Sequence, residues 1–337
     1  MREKKHLKKK RRKKIILESI LSVAILLAVL LGTLTGYYGS KVMNFLDTIS
    51  EEEVENQNTT VENIQNTEQI KNSDPFSVLI LGIDAEDEGA ARSDTMILAT
   101  LNPKEESMKL VSIPRDTFIT LPNGKMEKIN SAYASGGSYL AREMVSDYLD
   151  VPIDFHAAID FEGFIELVDA VDGITVNPDF EFSWDGHLFK KEGPQNVNGE
   201  EALAYARMRK KDPRGDFGRQ DRQKEVIVSI LQKLNSSKSV TKFSDILDSV
   251  SPYLKTNARS EQMIGMALSY SSVLNNIDQI ELEGEGYRTY FPSYGHELWV
   301  WEADEFELDQ RKDELKEHLE IKDSENNQSF KANGAEE

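Results

Sequence analysis

Three short apolar runs in the first third of the chain predict buried strands. They cover Ser77–Ile83, Thr95–Leu101 and Met108–Ile113, and they are rich in Val, Ile, Leu and Thr. Apolar runs of this length, bounded by turn residues, are typical of strands in the interior of a sheet. The short polar segment Asn102–Ser107 joins the second run to the third. The pattern therefore predicts an antiparallel hairpin built from these two strands.

Helical and extended patterns alternate through the rest of the chain. Phe161–Val171 carries apolar residues at the i, i+3, i+4, i+7 spacing of one helix face. Asn198 and Glu201 have the spacing of a capping box at the start of another helix, and Asp185-Gly186 predicts a hairpin turn. This alternation predicts an α/β fold, a single layered α-β-α domain with a central mixed sheet. Further helices are predicted at Ser138–Leu149, Arg219–Leu234, Phe243–Val250, Glu261–Leu274 and Ala303–Leu319, further strands at Ile153–Ile159, Gly173–Val176, Ile277–Leu282 and Leu298–Trp301, and a loop at Gly124–Gly137.

An apolar segment near the N-terminus predicts a membrane anchor. Ile15–Tyr38 is almost wholly apolar, and at about 1.5 Å per residue it can cross a bilayer core of roughly 30 Å. Met1–Lys14, directly before it, holds ten Lys and Arg residues and one Glu. Because positive flanks stay in the cytoplasm, we expect an uncleaved single-pass helix in the cell membrane, with a cytoplasmic N-terminus and an extracellular body. A cleaved signal peptide is the alternative.

Charge and composition complete the predicted division of the chain into segments. The whole chain carries a net charge of −19, although its first fourteen residues are strongly basic. Such an acidic body argues against nucleic-acid binding, and the absence of cysteine excludes disulfides and thiol chemistry. The predicted parts are a basic cytoplasmic tail (1–14), a transmembrane helix (15–38), an acidic linker or stalk (39–74), one folded domain (75–320) and a disordered polar tail (321–337).

Charged residues flank the three predicted strands at one edge of the sheet. Asp84 follows the first strand, Arg92 and Asp94 precede the second, and Arg115 and Asp116 follow the third. An antiparallel hairpin can bring Asp94 close to Arg115. Carboxylate oxygens are the ligands that Mg²⁺ prefers, and the planar guanidinium group binds phosphate oxygens in pairs. The pattern therefore favours a site for a metal-bound phosphate, and the alternative is a set of turn residues and surface ion pairs.

A second group of arginines lies between residues 207 and 222. Arg219 and Gln223 are four residues apart, so they share one face of a helix near its N-terminus. Helix N-termini attract anions, and Arg207, Arg209 and Arg222 lie nearby in the sequence. The alternative is a solvated charged loop. None of the five histidines, including His156, has the spacing of a metal-binding pair.

Six short motifs in this order resemble the LytR-CpsA-Psr family of cell-wall phosphotransferases. The resemblance extends from Phe76 to about Gly295. The motifs are Gly82-Ile83-Asp84, Arg92–Thr95, Ile113–Asp116, Lys128–Tyr133, Ala202–Arg209 and Gly215–Gln223.

The resemblance implies an enzyme at the membrane that assembles the cell wall. Such an enzyme transfers a glycopolymer, a wall teichoic acid or a capsule-like polysaccharide, from a polyprenyl-pyrophosphate carrier to a hydroxyl of peptidoglycan. The alternatives are a polyprenyl-pyrophosphate hydrolase and a non-catalytic envelope regulator or transcription attenuator. The resemblance does not identify which of these polymers is transferred.

The resemblance also implies roles for individual residues. Asp84 and Asp94 would hold Mg²⁺, and Asp94 or Asp116 would accept the proton of the attacking hydroxyl, with Arg92 and Arg115 completing the catalytic set. The pyrophosphate would be bound by Arg92, Arg115, Arg207, Arg209, Arg219 and Gln223. Candidates for a lipid slot, with ordinary core packing as the alternative, are Phe161, Phe164, Ile165, Val168, Val226 and Ile230.

Two departures from the family's motifs add negative charge near the predicted site. Ala85-Glu86-Asp87 follows Asp84 where a basic residue is common in the family, and Asp221 lies in the last motif where a basic or neutral residue is common. We expect these changes to affect which acceptor or polymer is used.

Overall fold

The structure, a computed structural model, describes residues 39–40, 43–44, 48–49, 66–84, 91–234, 246 and 248–321. The predicted basic tail, the predicted anchor at 15–38 and the polar tail from 322 onward lie outside these residues, as do residues 85–90 and half of the predicted helix at 243–250. Within the described part of the chain, no helix is both long enough and apolar enough to cross a bilayer.

Fourteen strands and six α-helices build the fold within the described part of the chain. The strands are β1 (Phe76–Asp84), β2 (Arg92–Asn102), β3 (Ser107–Ser112), β4 (Phe118–Thr120), β5 (Met126–Lys128), β6 (Phe155–Asp160), β7 (Ile174–Val176), β8 (Phe182–Trp184), β9 (His187–Phe189), β10 (Gln195–Val197), β11 (Leu254–Thr256), β12 (Asn276–Ile280), β13 (Gly284–Phe291) and β14 (His296–Ala303). The helices are α1 (Ser131–Leu149), α2 (Phe161–Ala170), α3 (Gly199–Arg207), α4 (Asp216–Leu234), α5 (Ser260–Ser269) and α6 (Glu305–His318), with a 3₁₀ helix at Ser271–Asn275.

A six-stranded mixed sheet forms the centre of the fold. Its strand order is β11-β6-β1-β2-β3-β12. Strands β1, β2 and β3 are antiparallel neighbours, whereas β6 runs parallel to β1 and β12 runs parallel to β3. The predicted α/β class and the predicted hairpin are confirmed. Because β1 and β3 run in the same direction, both end at the edge of the sheet where β2 begins.

Both faces of this sheet are covered, and the alternation of side chains along β1 shows how. Leu79 and Leu81 belong to a core that includes residues of α1 and α6. Val78 and Ile80 pack against a second core, on the other face, together with residues of α4 and α5. Successive side chains of a strand point to opposite faces, so continuous apolar strands require helices on both sides.

A third core lies beside the sheet and includes residues of α2, α3, α4 and two small hairpins. Val168, Val226 and Ile230 belong to it, with exposed fractions of 0%, 1% and 7%. These three residues, predicted as part of a lipid slot, are therefore core residues. The periodicity of α2 and α4 identifies an apolar face correctly, but it cannot distinguish a face that packs on protein from one that contacts lipid.

Three details differ from the sequence-based expectations. The segment predicted as a loop at Gly124–Gly137 contains β5 and the first turns of α1, which continues across non-helical dihedral angles at Gly136 and Gly137. Strands β4, β10, β11 and β13 were not predicted. Residues 66–72 are helical and Ile70 is buried in the core between the sheet and α5, so the ordered domain begins before Pro75.

Candidate active site

A tight turn after β3 fixes the first half of the site. The N–H of Thr117 donates to the carbonyl of Pro114 at 2.9 Å, and the Thr117 hydroxyl donates to the same carbonyl at 2.6 Å. The N–H of Asn130 donates to the carbonyl of Arg115 at 3.3 Å. Because these bonds hold the backbone on both sides, Arg115 and Asp116 have a defined position at the edge of the sheet.

Arg115 lies between two carboxylates. Its Nη1 donates to Oδ2 of Asp94 at 2.9 Å, as the hairpin pattern predicts, and its Nε lies 3.8 Å from Oδ2 of Asp116. Lys128 Nζ donates to Oδ1 of Asp116 at 2.6 Å. Burial by itself would lower the pKa of the Arg115 guanidinium, but the charges of Asp94 and Asp116 outweigh it, so the pKa is raised. Arg115 is therefore a permanent cation held in place by carboxylates.

The N-terminal end of α4 supplies the second half of the site. Arg219 lies in the first turns of this helix, and its Nη2 is 2.9 Å from Oδ1 of Asp216. Arg209 Nε lies 3.4 Å from the same oxygen. Burial lowers the pKa of the Arg219 guanidinium, and the nearby positive charge of Arg115 lowers it further against the effect of Asp216. Two arginines that disfavour each other's charge are stabilised by an anion between them.

A buried arginine joins the two C-terminal motifs. Arg222 donates through Nε to the carbonyl of Tyr205 at 3.1 Å and through Nη2 to the carbonyl of Met208, at the C-terminal end of α3. Its Nη1 lies 2.5 Å from Oδ2 of Asp212, whose side chain is fully buried. A buried charge pair is stable when further hydrogen bonds satisfy it. Arg222 is thus part of the scaffold beneath the site. Although it belongs to the last family motif, it does not line the cleft.

Gly218 explains why α4 can approach this buried pair. A Cβ atom at position 218 would lie 1.8 Å from Oδ2 of Asp212. Only a residue without a side chain fits there. The glycine therefore allows the first turn of α4, which carries Arg219, to pack directly on Asp212.

Between the two halves lies a cleft of about 670 Å³. The guanidinium of Arg207 lies 4.5 Å from the centroid of the Phe161 ring at its rim, in the geometry of a cation–π contact. The cationic side chains outnumber the carboxylates, two of which, Asp94 and Asp212, are paired with Arg115 and Arg222. The lining residues are Asp94, Thr95, Arg115, Phe161, Trp184, Asp185, Arg207, Arg209, Lys210, Asp212, Gly215, Arg219 and Gln223.

The cleft brings together most of the residues that the sequence analysis selected. Arg115, Arg207, Arg209, Arg219 and Gln223 line it together with Asp94. Asp116 lies behind Arg115 and lines a smaller cavity next to the cleft.

Asp84, Arg92 and most of the lipid candidates also lie outside the lining of the cleft. Asp84 and Arg92 face each other across the ends of β1 and β2, and Arg92 is exposed. Of the lipid candidates, Phe161 lines the cleft, whereas Phe164 and Ile165 are half-buried on α2.

The sequence analysis did not select several lining residues. Trp184 and Asp185 belong to the hairpin of β8 and β9, whose turn was predicted without a function, and Lys210 and Asp212 follow α3. Asp221, the unusual acidic residue of the last motif, is paired with Arg214 at 2.6 Å and with Lys224 at 3.3 Å. Its negative charge is therefore largely compensated.

The residues at the edge of the sheet partly fit a Mg²⁺ site. Among the residues that the structure describes, no group of three or more acidic or histidine side chains could hold a metal ion. Magnesium, however, commonly uses one or two carboxylates and completes its shell with substrate phosphate oxygens and water. Asp94 lies in the cleft and meets this requirement, with Asp84 at the end of the neighbouring strand.

The mixed sheet and the cleft define an α/β protein with a cluster of arginines at the edge of its sheet. The chain belongs to the LytR-CpsA-Psr family, because residues 39–317 match the LytR_cpsA_psr family. This match covers every element that contributes to the cleft.

Characterised relatives extend over nearly the whole chain. The polyisoprenyl-teichoic acid–peptidoglycan teichoic acid transferase TagU of Bacillus subtilis (strain 168) is 40% identical over 313 residues, which cover 93% of this chain and 98% of TagU. The crystal structure of B. subtilis TagU, at 44% identity, covers 74% of this chain and 98% of that structure with a TM-score of 0.58. A structure of TagT bound to LI-WTA, at 32% identity, covers 74% of this chain and 92% of TagT with a TM-score of 0.61.

Proposed function

We propose that this protein transfers a teichoic-acid-type glycopolymer from a polyprenyl-pyrophosphate carrier to a hydroxyl of peptidoglycan. The names of the TagU relatives support the polymer and the acceptor. The bond that forms is a phosphodiester between the polymer and the acceptor sugar, and polyprenyl phosphate is released.

One observation carries this proposal, namely the sign of the charge in the cleft. The chain has a net charge of −19, yet the cleft is lined by cations on α4, after α3 and after β3. A cluster of cations in an acidic protein is stabilised by a polyanionic ligand. The lining cations are Arg115, Arg207, Arg209, Lys210 and Arg219.

The arginines would bind the pyrophosphate and stabilise the reaction's transition state. As the acceptor oxygen bonds to phosphorus and the bond to prenyl phosphate breaks, negative charge shifts to the leaving phosphate. Arg115 and Arg219, held by Asp94 and Asp216, are fixed before substrate arrives, so they need no reorganisation during the reaction. Gln223 adds a neutral amide to the cleft. Arg92, which is exposed at the start of β2, would bind only a part of the substrate that extends beyond the cleft.

Asp94 or Asp116 would accept the proton of the attacking hydroxyl. Asp94 lines the cleft itself, and Asp116 lines the smaller neighbouring cavity. Mg²⁺, which we propose as a cofactor held by Asp84 and Asp94, would supply additional positive charge to the pyrophosphate when bound. Arg115 would keep Asp94 oriented toward the cleft in either case.

We propose that residues 15–38 anchor the protein in the cell membrane with its domain outside the cell. This arrangement keeps the cleft close to a lipid-linked substrate. The prenyl chain would contact Phe161 at the rim of the cleft, because Val226 and Ile230 of α4 are buried in the core.

The proposal is tested by product analysis with the full-length protein in detergent micelles, Mg²⁺ and a synthetic polyprenyl-pyrophosphate saccharide. We expect saccharide to become linked to added peptidoglycan and prenyl phosphate to be released in equal amount. Release of prenyl phosphate at the same rate with and without peptidoglycan, and no linked product, would identify the protein as a hydrolase instead. Tight substrate binding without any product would favour the regulator.

A further inference from the structure

A second, smaller cavity of about 190 Å³ adjoins the cleft and is not used by the proposed pyrophosphate site. Arg209 lines both, so the two spaces are adjacent. Asp116 forms part of its wall on the side of the sheet. The residues used below are Asp116, Phe217, Gln220, Trp299 and Trp301.

The hairpin of β13 and β14 builds the outer wall of this cavity. Gly286 is paired with Trp301 and Arg288 with Trp299, so both indole rings lie on the face of the hairpin that carries these partners. A Cβ atom on Gly286 would lie 2.1 Å from the ring of Trp299. A Cβ atom on Gly284 would lie 2.5 Å from the ring of Trp301. The two glycines therefore let the indole rings pack against the neighbouring strand, with Trp301 buried and Trp299 partly exposed.

The aromatic surface of this cavity is partly exposed. Trp299 is 39% exposed and Phe217, across the cavity on α4, is 38% exposed. Trp301 is buried, and its indole N–H has no hydrogen-bond acceptor among the described residues. An exposed aromatic patch that lines a cavity indicates a ligand that offers an apolar surface.

The hairpin is attached directly to the catalytic turn. The N–H of Trp301 donates to the carbonyl of Asp116 at 2.9 Å, and Thr117 bridges to Trp301. A ligand in this cavity would lie next to Asp116, and Arg209 contacts both this cavity and the pyrophosphate site. This is where the proposed reaction requires the acceptor hydroxyl.

We propose that this cavity binds a sugar ring of the peptidoglycan acceptor, with the ring stacked on Trp299. Pyranose rings have an apolar C–H face and a rim of hydroxyl groups, which match the partly exposed indole and the polar groups of Gln220 and Asp116. Tyr290 lies on the same face of the hairpin and is 56% exposed. At about 3.4 Å per residue, the face extends far enough along the strands to contact more than one ring. The inference rests on the proposed function for the identity of the acceptor, and it adds a binding site but no chemical step.

The test compares Trp299→Ala with Tyr287→Ala in the full-length protein. Tyr287 is equally exposed at 39%, but its side chain lies on the opposite face of the same hairpin, which makes it a matched control. Binding of a soluble, lipid-free peptidoglycan glycan fragment and of a polyprenyl-pyrophosphate analogue is measured separately by calorimetry. We expect Trp299→Ala to weaken fragment binding by ~10-fold or more and to leave binding of the analogue unchanged, and Tyr287→Ala to change neither.

Equal fragment affinity in Trp299→Ala and wild type, or an equal loss in Tyr287→Ala, would overturn the proposal. If near-ultraviolet circular dichroism shows that Trp299→Ala does not fold, Trp299→Leu and Phe217→Ala are compared with Tyr287→Ala instead. Failure of the proposed function gives a different result, because wild type would then bind the fragment without forming linked product. If wild type forms product and Trp299→Ala does so with an unchanged KM for the acceptor, the function stands and the acceptor site is refuted.

Discussion

Replacing Arg115 by alanine tests the assignment of the cleft most directly. The guanidinium bonds to Asp94 at 2.9 Å and its side chain is 24% exposed. A hydrogen bond between charged groups in such a setting contributes about 2 kcal/mol to the free energy of unfolding. In a chain of this size, 1 kcal/mol corresponds to about 2–4 °C in Tm. We therefore expect Arg115→Ala to lower Tm by no more than ~8 °C.

The expected loss of activity is much larger than this loss of stability. A fixed donor that faces charge developing in the transition state typically contributes a factor of about 10²–10³ to kcat. Arg115→Lys keeps the charge but loses the planar fork that binds two phosphate oxygens, so we expect it to recover only part of the rate. The assay measures single-turnover release of prenyl phosphate by the full-length protein.

A matched control separates the two effects. Arg311 on α6 lies 3.1 Å from Glu314 and 3.8 Å from Glu307, and its side chain is 31% exposed. Arg311→Ala should lower Tm by a similar or smaller amount and leave the rate unchanged. If Arg115→Ala retains activity within about threefold of wild type, Arg115 is an ordinary ion-pair residue and the reasoning from charge in the cleft is refuted.

Three further predictions follow from other parts of the structure. Asp94→Asn should weaken binding of a polyprenyl-pyrophosphate analogue, and Mg²⁺ should strengthen that binding in wild type more than in the variant. If calorimetry gives equal affinities with Mg²⁺ and with excess EDTA, Mg²⁺ is not part of the site. Gly218→Ala should lower the free energy of unfolding measured in urea by about 1–3 kcal/mol, because its Cβ collides with Asp212. Burial lowers the pKa of His318, so below pH ~6.5 the unfolded chain binds a proton at this residue that the folded chain does not bind. The free energy of unfolding should therefore fall by up to about 1.4 kcal/mol per pH unit in this range, and His318→Gln should remove this part of the pH dependence.

The elements that follow from local rules were predictable from the sequence. The capping box of Asn198 and Glu201 is present, with both reciprocal hydrogen bonds, and the hairpin turn at Asp185-Gly186 connects β8 and β9. The proximity of Asp94 and Arg115 followed from the direction of neighbouring strands. In each case, the signal lies within a few residues or in one strand pairing.

The remaining features depend on contacts between distant parts of the chain. Strand β13 has two glycines that weaken its strand pattern, and only the indole rings of β14 explain them. The break at Gly136-Gly137 suggested the start of a helix, whereas the helix begins at Ser131 because tertiary packing tolerates a kink there. The core position of Val168 depends on what α2 packs against, which its own periodicity does not contain.

The buried arginine beneath the cleft has a consequence for how this family evolves. Arg222 ties the end of α3 to Asp212 and the start of α4, so selection for folding should retain it as strictly as selection for chemistry retains Arg219. Two neighbouring arginines in one motif would then be equally invariant for opposite reasons. A homologue that has lost catalysis should keep Arg222 and Asp212 while Arg219 drifts, and this asymmetry offers a way to recognise members of the family that have become binding proteins.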